Sequence, residues 1–211
     1  MSASRSVDKV IVGVTGSFGS GKSVVCAMMK ELGAHVIDAD RLAHLCLRED
    51  HPAYAEIVKR FGKKVVTRDG RLSRRKLAGV IFSDGRARRA LNKIVHPRVV
   101  RMMRDEIARA REEVVVCDVP LLLEAGLEGM VDMVVVVKAK EGIQVARLRR
   151  RSGLSDEEIR ERIGAQMPLA DKERLADFII DNSYSRVQTR KQVERLWKKI
   201  RHRKKIQAKR Q

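Results

Sequence analysis

The chain has 211 residues, 44% of them hydrophobic, and a formal net charge of +19 at pH 7. This length provides for one well-buried α/β domain with inserted subdomains, but hardly for a second independent core. No apolar run approaches the roughly 18 to 20 residues that cross a bilayer, and the N-terminus lacks the long apolar region of a signal peptide. We therefore expect a soluble, cytoplasmic protein without contact to membranes.

The first apolar run, residues 10–14, leads into the sequence Gly-Ser-Phe-Gly-Ser-Gly-Lys-Ser at positions 16–23. These eight residues match the pattern G-x-x-x-x-G-K-[ST] and are called the phosphate loop below. Glycines let successive backbone N–H groups converge on a phosphate chain, a following helix adds its positive end, and Lys22 adds a full charge. The hydroxyl of Ser23 is then placed to bind Mg²⁺. The pattern predicts that the chain binds a nucleoside triphosphate.

Four more short apolar runs, rich in β-branched residues, follow at residues 35–37, 114–117, 133–137 and 178–180. Each run is too short for a buried helix, and near-continuous apolarity is typical of parallel strands covered on both faces. Helical periodicity separates most of these runs. We predict a three-layer α/β fold of the phosphate-loop NTPase type with a five-stranded parallel sheet.

Helical patterns without strand signal fill the remaining chain. We expect a nucleotide-binding core at residues 8–41, 112–144 and 173–200, and a helical substrate-binding insertion at residues 42–111 in which Pro97 begins a helix. Two charged helices form a lid at residues 145–172, the second of them starting with a capping box of Ser155 and Glu158. Residues 201–211 form a basic tail that we expect to be a frayed helix end or disordered.

Acidic residues stand where two predicted strands end. In open parallel sheets ligands bind beyond the carboxyl edge, and phosphoryl transfer to a hydroxyl needs a carboxylate near the acceptor and a metal ion. Asp40 is the candidate for orienting or deprotonating the acceptor hydroxyl, with Asp38 supporting it, and Asp118 is the candidate for the Mg²⁺ water shell. The alternative for such residues is a turn or a helix N-cap.

Arginines are concentrated at positions 147, 149, 150 and 151, ahead of the capped helix that holds Arg162 and Gln166. This segment can close over ATP and exclude water, which favours transfer over hydrolysis. The alternative is a solvated helix face. Three cysteines without ligand spacing, Cys26, Cys46 and Cys117, indicate buried thiols in a reducing compartment.

Taken in order, these residues resemble the dephospho-coenzyme A kinases over roughly residues 10–197. The landmarks are the phosphate loop, Val36-Ile37-Asp38 with Asp40, Asp69-Gly70, Arg74-Arg75-Lys76, Ile81-Phe82, His96-Pro97, residues 118–124, Arg147-Leu148 with Arg151, Gly153-Leu154-Ser155, Arg162 with Gln166, and Ala176-Asp177 leading to Asn182. The resemblance implies ATP-dependent phosphorylation of the ribose 3′-hydroxyl of dephospho-coenzyme A, the final step of coenzyme A biosynthesis. It also implies a helical domain for the coenzyme A moiety and an arginine-bearing lid.

The resemblance assigns the site residues as follows. Catalysis falls to Asp40, Lys22, Arg147 and Arg151, and Mg²⁺ to Ser23 and Asp118. ATP is bound by Gly16, Ser17, Gly19, Ser20, Gly21, Lys22, Ser23, Val24, Gln166 and Asn182. The acceptor is bound by Asp38, Asp40, Arg74, Arg75, His96, Asp118, Pro120, Leu121, Leu122 and Glu124.

This chain departs from the family pattern in and directly after the phosphate loop, and again after the last strand. Ser17 stands where many members have glycine, and Val24 stands where they have threonine. Phe18 stands in the phosphate loop where many members have a smaller residue, and Ser183-Tyr184 follow Asn182 where the family often has Asn-Gly. A glycine there commonly serves a left-handed turn, so we expect a different loop after the last strand.

Two other functions are compatible with the motifs. One is a kinase of another small metabolite or nucleotide on the same fold, because the phosphate loop and an acidic strand end do not identify the acceptor. The other is a basic nucleic-acid-binding protein that uses the nucleotide as a switch. A weak contact of the basic tail with RNA is a further expectation.

Overall fold

The computed structural model describes residues 9–208. Its five strands form one sheet in the order β2-β3-β1-β4-β5, in which β1 pairs in parallel with β3 and β4, and β4 pairs in parallel with β5. The prediction of a five-stranded parallel sheet is confirmed. The strands are β1 (Val10–Gly16), β2 (His35–Asp38), β3 (Val114–Asp118), β4 (Met133–Lys138) and β5 (Phe178–Asp181).

Nine α-helices lie within the described residues. They are α1 (Lys22–Glu31), α2 (Ala39–Leu45), α3 (Pro52–Phe61), α4 (Arg74–Ser83), α5 (Gly85–Arg109), α6 (Glu141–Ser152), α7 (Asp156–Gly164), α8 (Leu169–Arg174) and α9 (Arg186–Ala208). Short 3-10 turns stand at Lys63–Val65 and Glu128–Met130. No helix in residues 9–208 has the combination of length and apolarity that crossing a membrane requires.

The sheet and two helices share one hydrophobic core. Alternate residues of β1, β3 and β4 pack with Val25, Met28 and Met29 of α1 and with Val193 and Leu196 of α9. The residues that alternate with them in β3 and β4 are buried as well. Both faces of the central strands are therefore covered, which explains why their sequences are continuously apolar.

The chain divides into two compact units. The first comprises the described residues up to Ile37 and from Ala110 onward, and the second, called the helical unit below, is Asp38–Arg109. Within the helical unit, α5 contacts α2, α3 and α4. Its bounds lie close to the insertion expected at residues 42–111.

Pro97 does not begin a helix, contrary to the expectation from sequence. It lies inside α5, a helix of 25 residues. A proline in a helix interior removes one backbone hydrogen bond, but α5 buries Leu91, Val95, Val99 and Met103 along one side, and this packing outweighs the local loss. The guanidinium of Arg98 donates to the Ile94 carbonyl at 2.6 Å and so adds a hydrogen bond beside the proline.

The ends of α6 and α7, the helices predicted to form a lid, agree with their sequence signals, whereas the tail is more regular than its sequence indicated. Ser155 caps α7 in a capping box with Glu158, as predicted, and Gly153 ends α6 with a positive φ of 66°. In the tail, where we expected a frayed helix end or disorder, α9 continues without interruption to Ala208. Residues 195–208 contain no glycine or proline, so nothing in the sequence ends the helix earlier. Residues 209–211 lie outside the described part of the chain.

Candidate active site

Two glycines of the phosphate loop are required by its backbone. Gly16 has a φ of 147°, and a Cβ there would lie 2.0 Å from the carbonyl oxygen of Val137. Gly21 has a φ of 89°, and its Cβ would lie 2.1 Å from Nδ2 of Asn182. Any other residue would have to displace backbone or a buried amide. The loop therefore has its curvature fixed by tight contacts to the ends of β4 and β5.

Lys22 and Ser23 are the first two residues of α1, directly after the left-handed Gly21. The N-terminus of this helix carries partial positive charge and N–H groups without helical partners, which favours a bound phosphate. The ammonium of Lys22 lies 3.3 Å from the carbonyl oxygen of Gly16, at the opposite end of the loop. The Ser23 side chain is at the exposed surface.

Asn182 fixes the phosphate loop from the end of β5. Its side chain is buried, donates through Nδ2 to the Ser20 carbonyl at 2.8 Å and accepts from the Thr189 hydroxyl at 2.9 Å. Both polar atoms of the amide are thus used within the protein. Asn182, which we expected to contact ATP, thus holds the backbone at Ser20.

Arg147 of α6 also lies against the phosphate loop. Its guanidinium donates to the Asn182 carbonyl at 2.9 Å and is 3.5 Å from the Ser20 carbonyl. Arg149 instead pairs with Asp156 at the start of α7, and this hydrogen bond raises the pKa of Arg149 above its ordinary value. Arg150 and Arg151 are exposed at the end of α6. The arginine run therefore divides into a loop contact, an ion pair and exposed charges.

Phe18 links the phosphate loop to the lid helices. Its side chain packs against a small core of Val145, Leu148 and Ile159, and its N–H donates to Oε1 of Gln166 at 2.8 Å. Phe18, which we noted as a departure from the family pattern, therefore packs on α6 and α7. The hydrogen bond from the Phe18 N–H places Gln166, a predicted ATP-binding residue, beside the phosphate loop.

The loop after β3, residues 119–124, is held by β1. The N–H of Val119 donates to the Val14 carbonyl at 3.0 Å, and the buried hydroxyl of Thr15 donates to the Pro120 carbonyl at 3.0 Å. Leu122 is fully buried, and a Cβ at Gly13 would lie 2.7 Å from it. Of the two leucines expected along the acceptor pocket, Leu122 belongs to the core and Leu121 is 43% exposed.

Glu124 ends this loop with two contacts to the segment after α7. It accepts from the Met167 N–H at 3.1 Å, and its carboxylate lies 2.7 Å from the ammonium of Lys172. The Lys172 side chain is 0% exposed and that of Glu124 is 20% exposed. A buried ammonium is strongly destabilised unless it is paired, so this ion pair holds α8 against the loop.

The helical unit carries the other predicted acceptor residues. Asp38 caps α2 by accepting from the Arg41 N–H at 3.0 Å, which is the capping role weighed above, and Asp40 lies exposed in the first turn. Arg74 and Arg75 lie exposed in the first turn of α4, and His96 lies exposed on α5.

Comparisons with known proteins identify the family. The family model described as dephospho-CoA kinase matches residues 10–188. A dephospho-CoA kinase of Symbiobacterium thermophilum is 48% identical over 89% of this chain and 80% of that protein, and one of Geobacillus kaustophilus is 44% identical over 86% and 92%. A solved structure from Thermus thermophilus is 37% identical over 89% of this chain and 95% of that one, with a TM-score of 0.80.

The chain belongs to the dephospho-CoA kinase family. Members of this family are phosphotransferases that catalyse the final step of coenzyme A biosynthesis, and they use a nucleotide as donor. The thiols of Cys26, Cys46 and Cys117 are buried.

Sequence reasoning missed two residues of this kinase site. The sequence analysis singled out neither Thr189 nor Lys172. Both are 0% exposed; Thr189 holds Asn182 and Lys172 holds Glu124. The available signal was that each polar residue falls at a position of its helix that points inward. Periodicity alone does not name the partner.

The donor set suits a magnesium ion. Within residues 9–208, no group of three or more His, Cys, Asp or Glu side chains could enclose a metal. Mg²⁺ is usually bound through one or two protein oxygens together with substrate phosphates and water. The Ser23 hydroxyl and the Asp118 carboxylate are oxygen donors of that kind, so the residues of this kinase fit the ion.

Proposed function

We propose that this chain transfers the γ-phosphoryl group of ATP to the 3′-hydroxyl of the ribose of dephospho-coenzyme A, giving coenzyme A and ADP. The observation that carries the proposal is a complete phosphate loop at the N-terminus of α1, within a chain that the dephospho-CoA kinase family model matches over residues 10–188. The loop accounts for the donor, and family membership accounts for the acceptor.

On the donor side, backbone N–H groups of the phosphate loop bind the phosphates and Lys22 neutralises charge on the β and γ groups. Positioned positive charge is worth most where negative charge develops during transfer. Arg147 and Arg151 of α6 supply further charge for the transferred group. The contact between Arg147 and the loop backbone supports this role for Arg147.

On the acceptor side, Asp40 orients or deprotonates the 3′-hydroxyl. Asp38 supports it indirectly, because its capping hydrogen bond fixes the first turn of α2, where Asp40 lies. Arg74 and Arg75 bind phosphate groups of the acceptor. Cations in the first turn of a helix are slightly unfavourable for folding, so two exposed arginines at the start of α4 favour a binding role.

Ser23 and Asp118 hold Mg²⁺, the ion that neutralises phosphate charge when bound. Asp118 is suited to act through a water molecule bound to the ion. In the sheet it lies opposite Val14, and Val14 precedes the first residue of the phosphate loop by two positions. The cytoplasmic location and the weak contact of the basic tail with RNA stay predictions.

An acceptor panel tests the proposed function. Turnover with ATP and Mg²⁺ is measured by ADP release for dephospho-coenzyme A, nucleosides, nucleoside monophosphates and shikimate. We expect a preference for dephospho-coenzyme A and a product phosphorylated at the ribose 3′ position. A preference for any other acceptor would overturn the proposal.

Asp40→Asn tests the assigned base with the same assay. The amide keeps the shape of the side chain but cannot accept the proton, so we expect turnover to fall by a factor on the order of 10² to 10⁴. ATP affinity, measured by calorimetry, stays near that of the unchanged protein. Asp105→Asn, which removes an exposed carboxylate on α5 of the same unit, is the control and should keep normal turnover. Near-normal turnover in Asp40→Asn would remove it from the role of base.

A further inference from the structure

We infer that residues 166–172, called the coupling segment, link the nucleotide side of the site to the acceptor side, with Gln166 and Lys172 as positioning residues. The inference rests on the proposed function, since it concerns how ATP and dephospho-coenzyme A influence each other's binding. Gln166 and Lys172 act through Phe18 and Glu124 and need not touch either substrate.

The first end of the coupling segment is attached to the phosphate loop. Oε1 of Gln166 accepts the N–H of Phe18 at 2.8 Å, and the Phe18 ring packs on the core formed by α6 and α7. A nucleotide that orders the loop therefore also orders the position of Gln166. The bond reaches the loop backbone directly, across 148 residues of sequence.

The second end is attached to the loop after β3. The N–H of Met167, the residue next to Gln166, donates to Glu124 at 3.1 Å, and Lys172 pairs with the same carboxylate oxygen at 2.7 Å. Glu124 ends the loop that begins beside Asp118 and that we assign to the acceptor. One short segment is thus bonded to both loops.

The coupling segment has little freedom between its two ends. The N–H groups of Asp171 and Lys172 both donate to the Pro168 carbonyl, which fixes the start of α8 relative to the residues before it. Moving Lys172 away from Glu124 would leave an ammonium with 0% exposure unpaired, and that carries a large free-energy cost. A displacement at Gln166 is therefore transmitted to Glu124 and is not absorbed within the segment.

A closed set of contacts joins the two loops. Strand β1 holds the loop after β3 through Thr15 and Pro120, while the coupling segment holds the same loop through Glu124 and the phosphate loop through Phe18. A ligand that orders one loop lowers the conformational cost of ordering the other, so each substrate strengthens binding of its partner.

The test is a binding measurement. The dissociation constant of dephospho-coenzyme A is determined by calorimetry with and without a saturating non-hydrolysable ATP analogue and Mg²⁺, and the ratio of the two constants is the coupling factor. For the unchanged protein we expect the analogue to tighten acceptor binding at least about fivefold. Lys172→Met and Gln166→Met should each bring the coupling factor to within about twofold of one.

Two variants separate coupling from general stability. Glu173 lies on α8, as Lys172 does, but it pairs with Lys138 of β4 and not with the loop after β3. Glu173→Gln breaks this other ion pair. It should keep the full coupling factor even if its melting temperature falls. Gln166→Glu retains an oxygen that accepts the Phe18 N–H, and it should keep the coupling factor that Gln166→Met loses.

The outcomes distinguish this inference from the proposed function. Absence of dephospho-coenzyme A binding by the unchanged protein would overturn both. Binding with a coupling factor of one, or full coupling in Gln166→Met, would overturn only the inference. If Lys172→Met fails to fold, the two Gln166 variants decide whether the inference holds. Gln166 is only partly buried, and neither substitution leaves a buried charge unpaired.

Discussion

The phosphate loop and the helical unit hold their candidate residues in different ways. In the phosphate loop, the backbone is fixed by tight packing at Gly16 and Gly21. It also donates a hydrogen bond to Gln166 and accepts one from Asn182. In the helical unit, the candidate residues Asp40, Arg74, Arg75 and His96 lie exposed on helices. Changes to the supporting contacts on the donor side should therefore affect both stability and turnover, whereas changes to these exposed residues of the helical unit should affect turnover or acceptor binding with little change in stability.

Among changes on the donor side, Lys22→Ala is expected to have the largest effect. Removing a positioned charge from the transferred phosphate should lower turnover by a factor on the order of 10³. Nucleotide affinity should weaken as well, because the ammonium neutralises phosphate charge in bound ATP and also during transfer. Turnover by ADP release and ATP affinity by calorimetry measure the two parts. Lys30→Ala, at the exposed end of the same helix α1, is the control and should behave as the unchanged protein. Turnover within tenfold of normal in Lys22→Ala would place the decisive charge elsewhere.

Asn182→Ala tests whether the donor side depends on its supporting contacts. The change removes the donor to the Ser20 carbonyl and leaves the buried Thr189 hydroxyl without its acceptor on Asn182. We expect unfolding free energy to fall by about 1 to 3 kcal/mol, measured by urea denaturation, and turnover to fall as well.

Thr189→Val is the matched variant, because it removes one of these two hydrogen bonds and keeps the bond to Ser20. It should lose stability but retain turnover. A stable Asn182→Ala protein with normal turnover would contradict the view of the donor side as fixed by Asn182.

The sequence predicted the features that depend on neighbouring residues and missed those that depend on contacts between distant parts of the chain. The strands followed from short apolar runs, and the phosphate loop and capping box followed from residues close together in the chain. The hydrogen bond from Asn182 to Ser20 spans 162 residues, and the pair of Lys172 with Glu124 joins a helix to a distant loop. Such contacts depend on tertiary packing, which local patterns do not specify. Pro97 shows the converse, since packing along α5 overrode a local signal for a helix start.

Arg74→Ala tests the helical unit. The side chain is exposed in the first turn of α4, where a cation opposes the helix dipole. We expect the KM for dephospho-coenzyme A to rise about tenfold, the loss of one charge-assisted hydrogen bond, while kcat and melting temperature stay near normal. Lys76→Ala in the same turn is the control, because Lys76 already donates to the Val66 carbonyl. An unchanged KM, or a clear drop in melting temperature, would contradict the contrast between the two regions.

Asp156→Asn should have the smallest effect on stability, and the size of this effect should depend on pH. The hydrogen bond from Arg149 holds the pKa of the Asp156 carboxyl below its ordinary value of 3.8. Because the pKa of Asp156 is lower in the folded state, the ionised carboxyl stabilises the protein at pH values above 3.8. This stabilisation is lost as the pH falls through the pKa of the folded state. The melting temperature of Asp156→Asn should therefore lie slightly below normal at pH 7, with the gap closing below about pH 4. Glu157→Gln, in the same first turn of α7 but outside the pair with Arg149, should show a smaller gap. A gap that stays constant down to acidic pH would show that the ion pair between α6 and α7 is not its cause.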